Sequence, residues 1–186
     1  MQIVKNYLYN AMYQVFIIIV PLLTIPYLSR ILGPSGIGIN SYTNSIVQYF
    51  VLFGSIGVGL YGNRQIAFVR DNQVKMSKVF YEIFILRLLT ICLAYLLFVA
   101  FLTINGQYHA YYLFQSIAIV AAAFDISWFF MGIENFKVTV LRNFIVQLLA
   151  LFSIFLFVKS YNDLNIYILI TVLSTLIGNL TFFPSL

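Results

Sequence analysis

The sequence predicts an all-α, polytopic membrane protein, a bundle of transmembrane helices with little chain outside the bilayer. Of its 186 residues 62% are hydrophobic and only 8% charged, and the mean hydropathy is +0.98, far from soluble globular usage. A hydrocarbon core about 30 Å thick takes about 20 helical residues to cross. Six apolar stretches reach that length: 7–28, 39–61, 79–104, 110–131, 138–158 and 164–183. Strands of a membrane barrel would alternate over about ten residues, whereas these runs are continuously apolar and twice as long. The whole chain, 1–186, reads as one transmembrane domain.

The first span is too long for a secretory signal, lacks an Ala-x-Ala-like exit and is followed by further spans. Asn6, Asn10 and Gln14 recur at intervals of four on one of its faces. Pro21 and Pro26, in its last two turns, each remove a backbone hydrogen bond and bend a helix. They are read as a candidate hinge, with a passive bend that fits the bundle as the alternative. In the second span Asn40, Asn44, Gln48, Ser55, Gly59 and Gly62 fall on a single helix face. Unpaired polar side chains are costly in hydrocarbon, so this stripe implies either close helix packing or the wall of a wet cavity.

Along the connection 63–78 and into the start of the third span, Arg64, Asp71, Lys75, Lys78 and Glu82 recur at helical spacing, opposite Ile66, Val69, Met76 and Val79. The connection is expected to be an amphipathic helix on the cytoplasmic surface that leads into the third span, with anchoring to headgroups preferred over substrate contact. Within the third and fourth spans Arg87 and Asp125 are buried at similar depths, about 12 Å and about 9 Å from the inner ends at ~1.5 Å per residue. On antiparallel neighbours they would form an ion pair. The alternative gives Arg87, or Arg142 in the fifth span, to an anionic ligand. The sixth span carries Thr171, Ser174, Gly178 and Thr181 on one face.

Lys and Arg set the orientation. With both termini cytoplasmic, the inner side receives Lys5, Arg64, Arg70, Lys75, Lys78, Lys137 and Arg142, and the outer side only Arg30 and Lys159. Cys92 is the single cysteine and lies mid-span, which excludes an internal disulfide and Cys-rich metal sites. His109, the single histidine, falls in a tight outer loop and is read as a solvated side chain. No catalytic residue, metal, cofactor or nucleic-acid partner is expected.

Three segments carry a family resemblance. Pro26-Tyr27-Leu28-Ser29-Arg30-Ile31-Leu32-Gly33, with Gly36 and Gly38, resembles the first-hairpin signature of bacterial polysaccharide-biosynthesis flippases, the Wzx-type oligosaccharide-lipid translocases. The end of the second span, Tyr61 to Ala67 with Arg70-Asp71, is similar to theirs. So is the end of the fourth span, from Asp125 through Trp128 and Gly132 to Glu134.

The resemblance implies the superfamily of multidrug and lipid-linked oligosaccharide exporters, built as two six-helix lobes around a central cavity. The chain then corresponds to the N-terminal lobe and needs a C-terminal lobe or a second copy. The implied substrate is an undecaprenyl pyrophosphate-linked repeat unit of capsule, O-antigen or exopolysaccharide, carried across the bacterial cytoplasmic membrane by alternating access. A glycan polymerase and chain-length machinery are the implied partners. Cations at Arg64, Arg87 and Arg142, with amides at Asn10, Gln14, Asn40, Asn44 and Gln48, are the expected cavity residues for a diphosphate and sugar hydroxyls. Three alternatives stay open: a cation-coupled multidrug exporter, a membrane enzyme of the same glycan pathway, and a non-transporting assembly partner. The exporter would need a cavity carboxylate, for which Asp125 is the candidate. The enzyme would need clustered carboxylates or histidine, whereas the five acidic residues are scattered.

Overall fold

Helices account for nearly all of the computed structural model, which describes the backbone of residues 2–104 and 106–185 and the side chains of Val15, 18–104, 106–135 and 138–184. Helix α1 (Gln2–Ile31) runs unbroken through Pro21 and Pro26, and Thr24 Oγ1 donates to Val20 O at 3.0 Å between them. The side chains of Asn6, Asn10 and Gln14, expected on the polar face of α1, lie outside the described residues. Gly33 turns the chain with φ +67°, a left-handed conformation that is cheap without a Cβ. Pro34 then opens α2 (Gly33–Ser55), where its missing N–H is no loss.

The structure divides two of the expected spans. The stretch 39–61 is interrupted at Ile56 (φ +28°) and Gly57 (φ +65°), which separate α2 from α3 (Val58–Val69). Nor is 63–78 one surface helix: it is shared between the end of α3 and the start of α4 (Gln73–Ile104). There Asn72 Oδ1 accepts the Lys75 N–H at 3.0 Å, a cap that starts the new helix. The stretch 110–131 holds three short helices, α5 (His109–Gln115), α6 (Ile117–Ala123) and α7 (Ser127–Gly132). Ser116 Oγ donates to Leu113 O at 2.7 Å, and Asp125 Oδ1 accepts the Ser127 N–H at 3.0 Å. Such local side-chain bonds offer the backbone an alternative to the helix ladder.

Two longer helices close the bundle, α8 (Phe136–Phe157) and α9 (Leu164–Leu180). Between them Asp163 Oδ2 accepts the N–H groups of Lys159 and Ser160 at 2.8 and 2.7 Å. Tyr27 ties α1 to the same corner, its hydroxyl donating to Val158 O at 2.7 Å. Among the described residues five helical stretches are long and apolar enough to cross a membrane: Gly33–Val69, Gln73–Ile104, His109–Gly132, Val138–Phe157 and Tyr161–Leu180. Ile18–Ile31 is a shorter apolar helix. Leu22, Phe53, Leu89 and Phe152 stay exposed, which in a bilayer makes a lipid-facing surface.

Packing centres on α4, which lies against α2, α3 and α6. Its first half joins Phe80 and Ile83 to Ile66, Trp128, Phe130 and Phe182. Its second half joins Ile91 and Phe98 to Val47, Tyr112 and Ile119. A third cluster, Leu28, Leu32, Ile154, Val158, Leu164 and Ile168, holds α1 to α8 and α9.

Helices α3 and α7 meet through glycine. A Cβ on Gly62 would stand 2.5 Å from the Trp128 ring, and one on Gly132 would stand 2.7 Å from Ile66. Gly38, by contrast, faces open space. We therefore expect Gly62→Ala and Gly132→Ala each to cost about 1–3 kcal/mol through overpacking. Gly38→Ala should be neutral or stabilise by up to ~1 kcal/mol, because alanine loses less entropy in a helix. Thermal unfolding of the purified protein in detergent measures all three.

Candidate functional site

At the break between α6 and α7 the carbonyls of Ala121 and Ala122 keep only long turn bonds, from the N–H groups of Phe124 at 3.2 Å and Asp125 at 3.4 Å, and the apolar bundle leaves their remaining capacity to other side chains. Side chains from two other helices fill that role. Arg87, on α4 and only 4% exposed, donates from Nε to Ala122 O at 2.7 Å. Its Nη2 reaches Asp125 Oδ2 at 3.3 Å, while the other carboxylate oxygen is held by the Ser127 N–H. From α9, Asn179 Nδ2 donates to Ala121 O at 2.7 Å. Asn179 Oδ1 in turn accepts from Arg142 Nη2 at 3.0 Å, and the Arg142 guanidinium lies 3.8 Å above the centre of the Phe182 ring, a cation–π contact. The broken helix is thus stitched to α4, α8 and α9.

These groups form one end of a cavity of ≈ 780 Å³ that is open on one side and lined by α1, α2, α4, α5, α6, α8 and α9, within the size range of small-molecule sites. Its α2 wall presents Asn40, Asn44, Gln48 and Ser55. Its α8 and α9 walls present Asn143, Gln147, Thr171, Ser174 and Thr175, and α1 contributes Thr24. The charged lining groups among the described residues are Arg87, Arg142 and Asp125, a formal balance of one positive charge. The wall is therefore mostly neutral and rich in amides. Among the described residues no three of His, Cys, Asp and Glu come together as a metal-binding group.

Residues 3–183 match the family model described as "Polysaccharide biosynthesis protein". The chain belongs to that family. It is 27% identical over 165 residues to a protein of Escherichia coli (strain K12), and 31% identical over 148 residues to one of Shigella dysenteriae. Both are named "Putative O-antigen transporter". The alignments cover 87% and 77% of this chain but 40% and 37% of those relatives, so the chain spans about two fifths of their length. No solved structure gives a significant match. Family membership and the apolar helices together make it a multi-pass protein of the bacterial cytoplasmic membrane.

Within this family member, Asn40, Asn44, Gln48, Arg87 and Arg142 of the sequence-derived candidates all reach the cavity, and Arg87 meets Asp125. Arg64 does not belong with them. The turn at Ile56 and Gly57 reorients α3, so Arg64 is exposed on its surface, 5.7 Å over the Phe68 ring. For the same reason the stripe from Asn40 to Gly62 is not one face: Gly62 packs on Trp128 and Gly59 faces open space. Arg30 sits exposed in the last turn of α1. Glu134 takes a left-handed backbone (φ +60°) and pairs with Arg70 at 2.6 Å. That hydrogen bond, and then its charge, raises the Arg70 pKa further. Gln115, Asn143, Gln147 and Asn179 are cavity residues that sequence reasoning missed. The spacing of four between Asn143 and Gln147 was a usable signal, whereas Gln115 and Asn179 are single amides in apolar runs.

The stitching of the broken helix is testable through stability. Arg87→Met leaves the Ala122 carbonyl with only the long bond from the Asp125 N–H at 3.4 Å and the part-buried carboxylate of Asp125 without its counter-charge. It should cost ~3 kcal/mol, at the lower end for a broken buried pair because Asp125 is one-third open to the cavity. Arg87→Lys should recover little, since an ammonium lacks the planar fork that reaches both acceptors. Asp125→Asn should cost less than Arg87→Met, as an amide oxygen still accepts from Ser127. Thermal melts of the three variants rank them.

Proposed function

We propose that the protein is the N-terminal lobe of a lipid-linked oligosaccharide flippase, a transporter and not an enzyme. It moves undecaprenyl pyrophosphate-linked repeat units across the cytoplasmic membrane for O-antigen, capsule or exopolysaccharide synthesis. The observation that carries this reading is the amide-rich, weakly cationic cavity of ≈ 780 Å³ inside an apolar helical bundle of a polysaccharide-biosynthesis family. The names of the two relatives point the same way. Desolvated sugar hydroxyls need hydrogen-bond partners, and a diphosphate leaving water is favoured by the field of Arg87 and Arg142. The polyprenyl tail stays in lipid, against the exposed apolar faces.

In this reading six spans form one lobe with both termini cytoplasmic. Arg64, Arg70, Lys75 and Lys78 then lie at the inner face, as the excess of positive charge there favours. A C-terminal lobe or a second copy closes the other side of the cavity, and the two rock about α1, with Pro21 and Pro26 as the hinge, to give alternating access. The bilayer, the glycan polymerase and the chain-length machinery are the partners. The cation-coupled exporter is less well supported, because the one carboxylate lining the cavity among the described residues is engaged by Arg87 and the Ser127 N–H.

Reconstituted vesicles test this. The complete gene product should move a lipid-linked repeat unit to the opposite leaflet, read by its exposure to a membrane-impermeant glycosidase. Ala150→Trp, which fills the cavity from α8, should reduce that rate at least tenfold while the protein still melts cooperatively. Unchanged transport in the filled variant, or none in the folded wild type, would refute the flippase reading.

A further inference from the structure

Two amide pairs on the α2 side of the cavity repeat one hydrogen-bonding pattern. Gln115, 2% exposed, donates from Nε2 to Asn40 Oδ1 at 3.1 Å, and its Oε1 is buried without a hydrogen-bond partner. One turn further along α2, about 6 Å at ~1.5 Å per residue, Gln48 Nε2 donates to Asn44 Oδ1 at 3.4 Å. All four side chains line the cavity. Each pair spends one donor and one acceptor internally, and so keeps one amide oxygen and one amide NH₂ for a ligand. In the first pair Gln115 Nε2 also donates to the Asn40 backbone carbonyl at 3.4 Å, which fixes the orientation of that amide.

A free acceptor beside a free donor selects the ligand. A hydroxyl gives and receives a hydrogen bond at once, so it satisfies both members of the pair. A phosphate oxygen only accepts, and beside Gln115 it would leave the buried Oε1 unpaired, at the usual cost of a buried unsatisfied group. The guanidinium groups, which would suit an anion, come from α4 and α8 and not from this wall: Arg87 binds Ala122 O and Asp125, and Arg142 binds Asn179 through Nη2 and the Phe182 ring face.

From this geometry we infer that the lobe's cavity is a sugar subsite. Neutral hydroxyls of the glycan sit against the Asn40–Gln115 and Asn44–Gln48 pairs, and the anionic group of the carrier stays off this wall. The two arginines hold the broken helix from α4 and α8. The inference deepens the flippase reading and rests on it for the identity of the ligand as a glycan.

The test uses the complete gene product in nanodiscs and three probes: the carrier-free repeat-unit oligosaccharide released from the surface glycan of the strain that carries the gene, its fully O-methylated form, and inorganic pyrophosphate. By titration calorimetry the oligosaccharide should bind. Gln115→Leu and the double variant Asn44→Leu/Gln48→Leu should each weaken it about tenfold, Arg64→Gln should stay within twofold of wild type, and pyrophosphate should not displace it. Displacement by pyrophosphate overturns the assignment, as do amide variants that melt like wild type and bind within twofold of it. If Gln115→Leu does not fold, the methylated oligosaccharide decides: binding equal to the native sugar overturns the subsite, and loss of binding supports it. Transport separates this inference from the flippase reading. Vesicles that bind free sugar but do not translocate the lipid-linked unit overturn the flippase and support the subsite, whereas translocation without sugar binding overturns the subsite.

Discussion

A peptide carbonyl held only by a long turn bond where a helix breaks inside a membrane protein draws in a further donor, and most of the interior follows from how this chain supplies it. The carbonyls of Ala121 and Ala122, next to the α6–α7 break, draw in Asn179 and Arg87. Those contacts bury a guanidinium, which requires the Asp125 carboxylate beside it. They also set Asn179 where Arg142 can bind it. Charges that look like ligand-binding groups in a list of residues are, in place, the fasteners of the fold. What they leave open to the cavity is mostly neutral.

The two clear helix interruptions relate to one division of the bundle. The turn at Ile56 and Gly57 and the turn from Phe124 to Ile126 both fall between the cluster around Phe80 and Trp128 and the cluster around Phe98 and Tyr112. Helix α4 passes between these clusters without a break, and Arg87 lies between Ile83 of one and Ile91 of the other. A continuous helix carries the registration while its neighbours change direction around it. Glycine makes the part around Phe80 and Trp128 dense: Gly62 and Gly132 bring α3 and α7 so close that a single methyl would collide.

The helical class was plain in the sequence because hydrocarbon demands long apolar runs, and nothing else in a short chain looks like them. The meeting of Arg87 and Asp125 was legible too, since depth on antiparallel helices converts directly into neighbourhood. Breaks were not. Ile56-Gly57 and Phe124-Asp125 sit inside apolar runs and have the composition of a helix that carries on; only hydrogen bonds such as Asp125 to Ser127 end it. Arg64 was counted among the cavity cations because it is a cation near the end of a span, whereas α3 carries it on an exposed surface. Gln115 was invisible for the opposite reason, as a lone amide gains meaning only when Asn40 arrives beside it from α2.

Ile56 shows how a membrane changes the usual economy of a turn. A β-branched residue at φ +28° is strained, and in water a glycine would serve better. Here the residue is 68% exposed beside the exposed Gly57 of the same bend, and a second glycine would bare still more peptide to hydrocarbon. The isoleucine side chain covers that backbone with the same substance as the solvent. The strained torsion is the cost of an insulated bend, so a break that would mark a solvent-exposed loop in a soluble protein is here part of the protein's oily exterior.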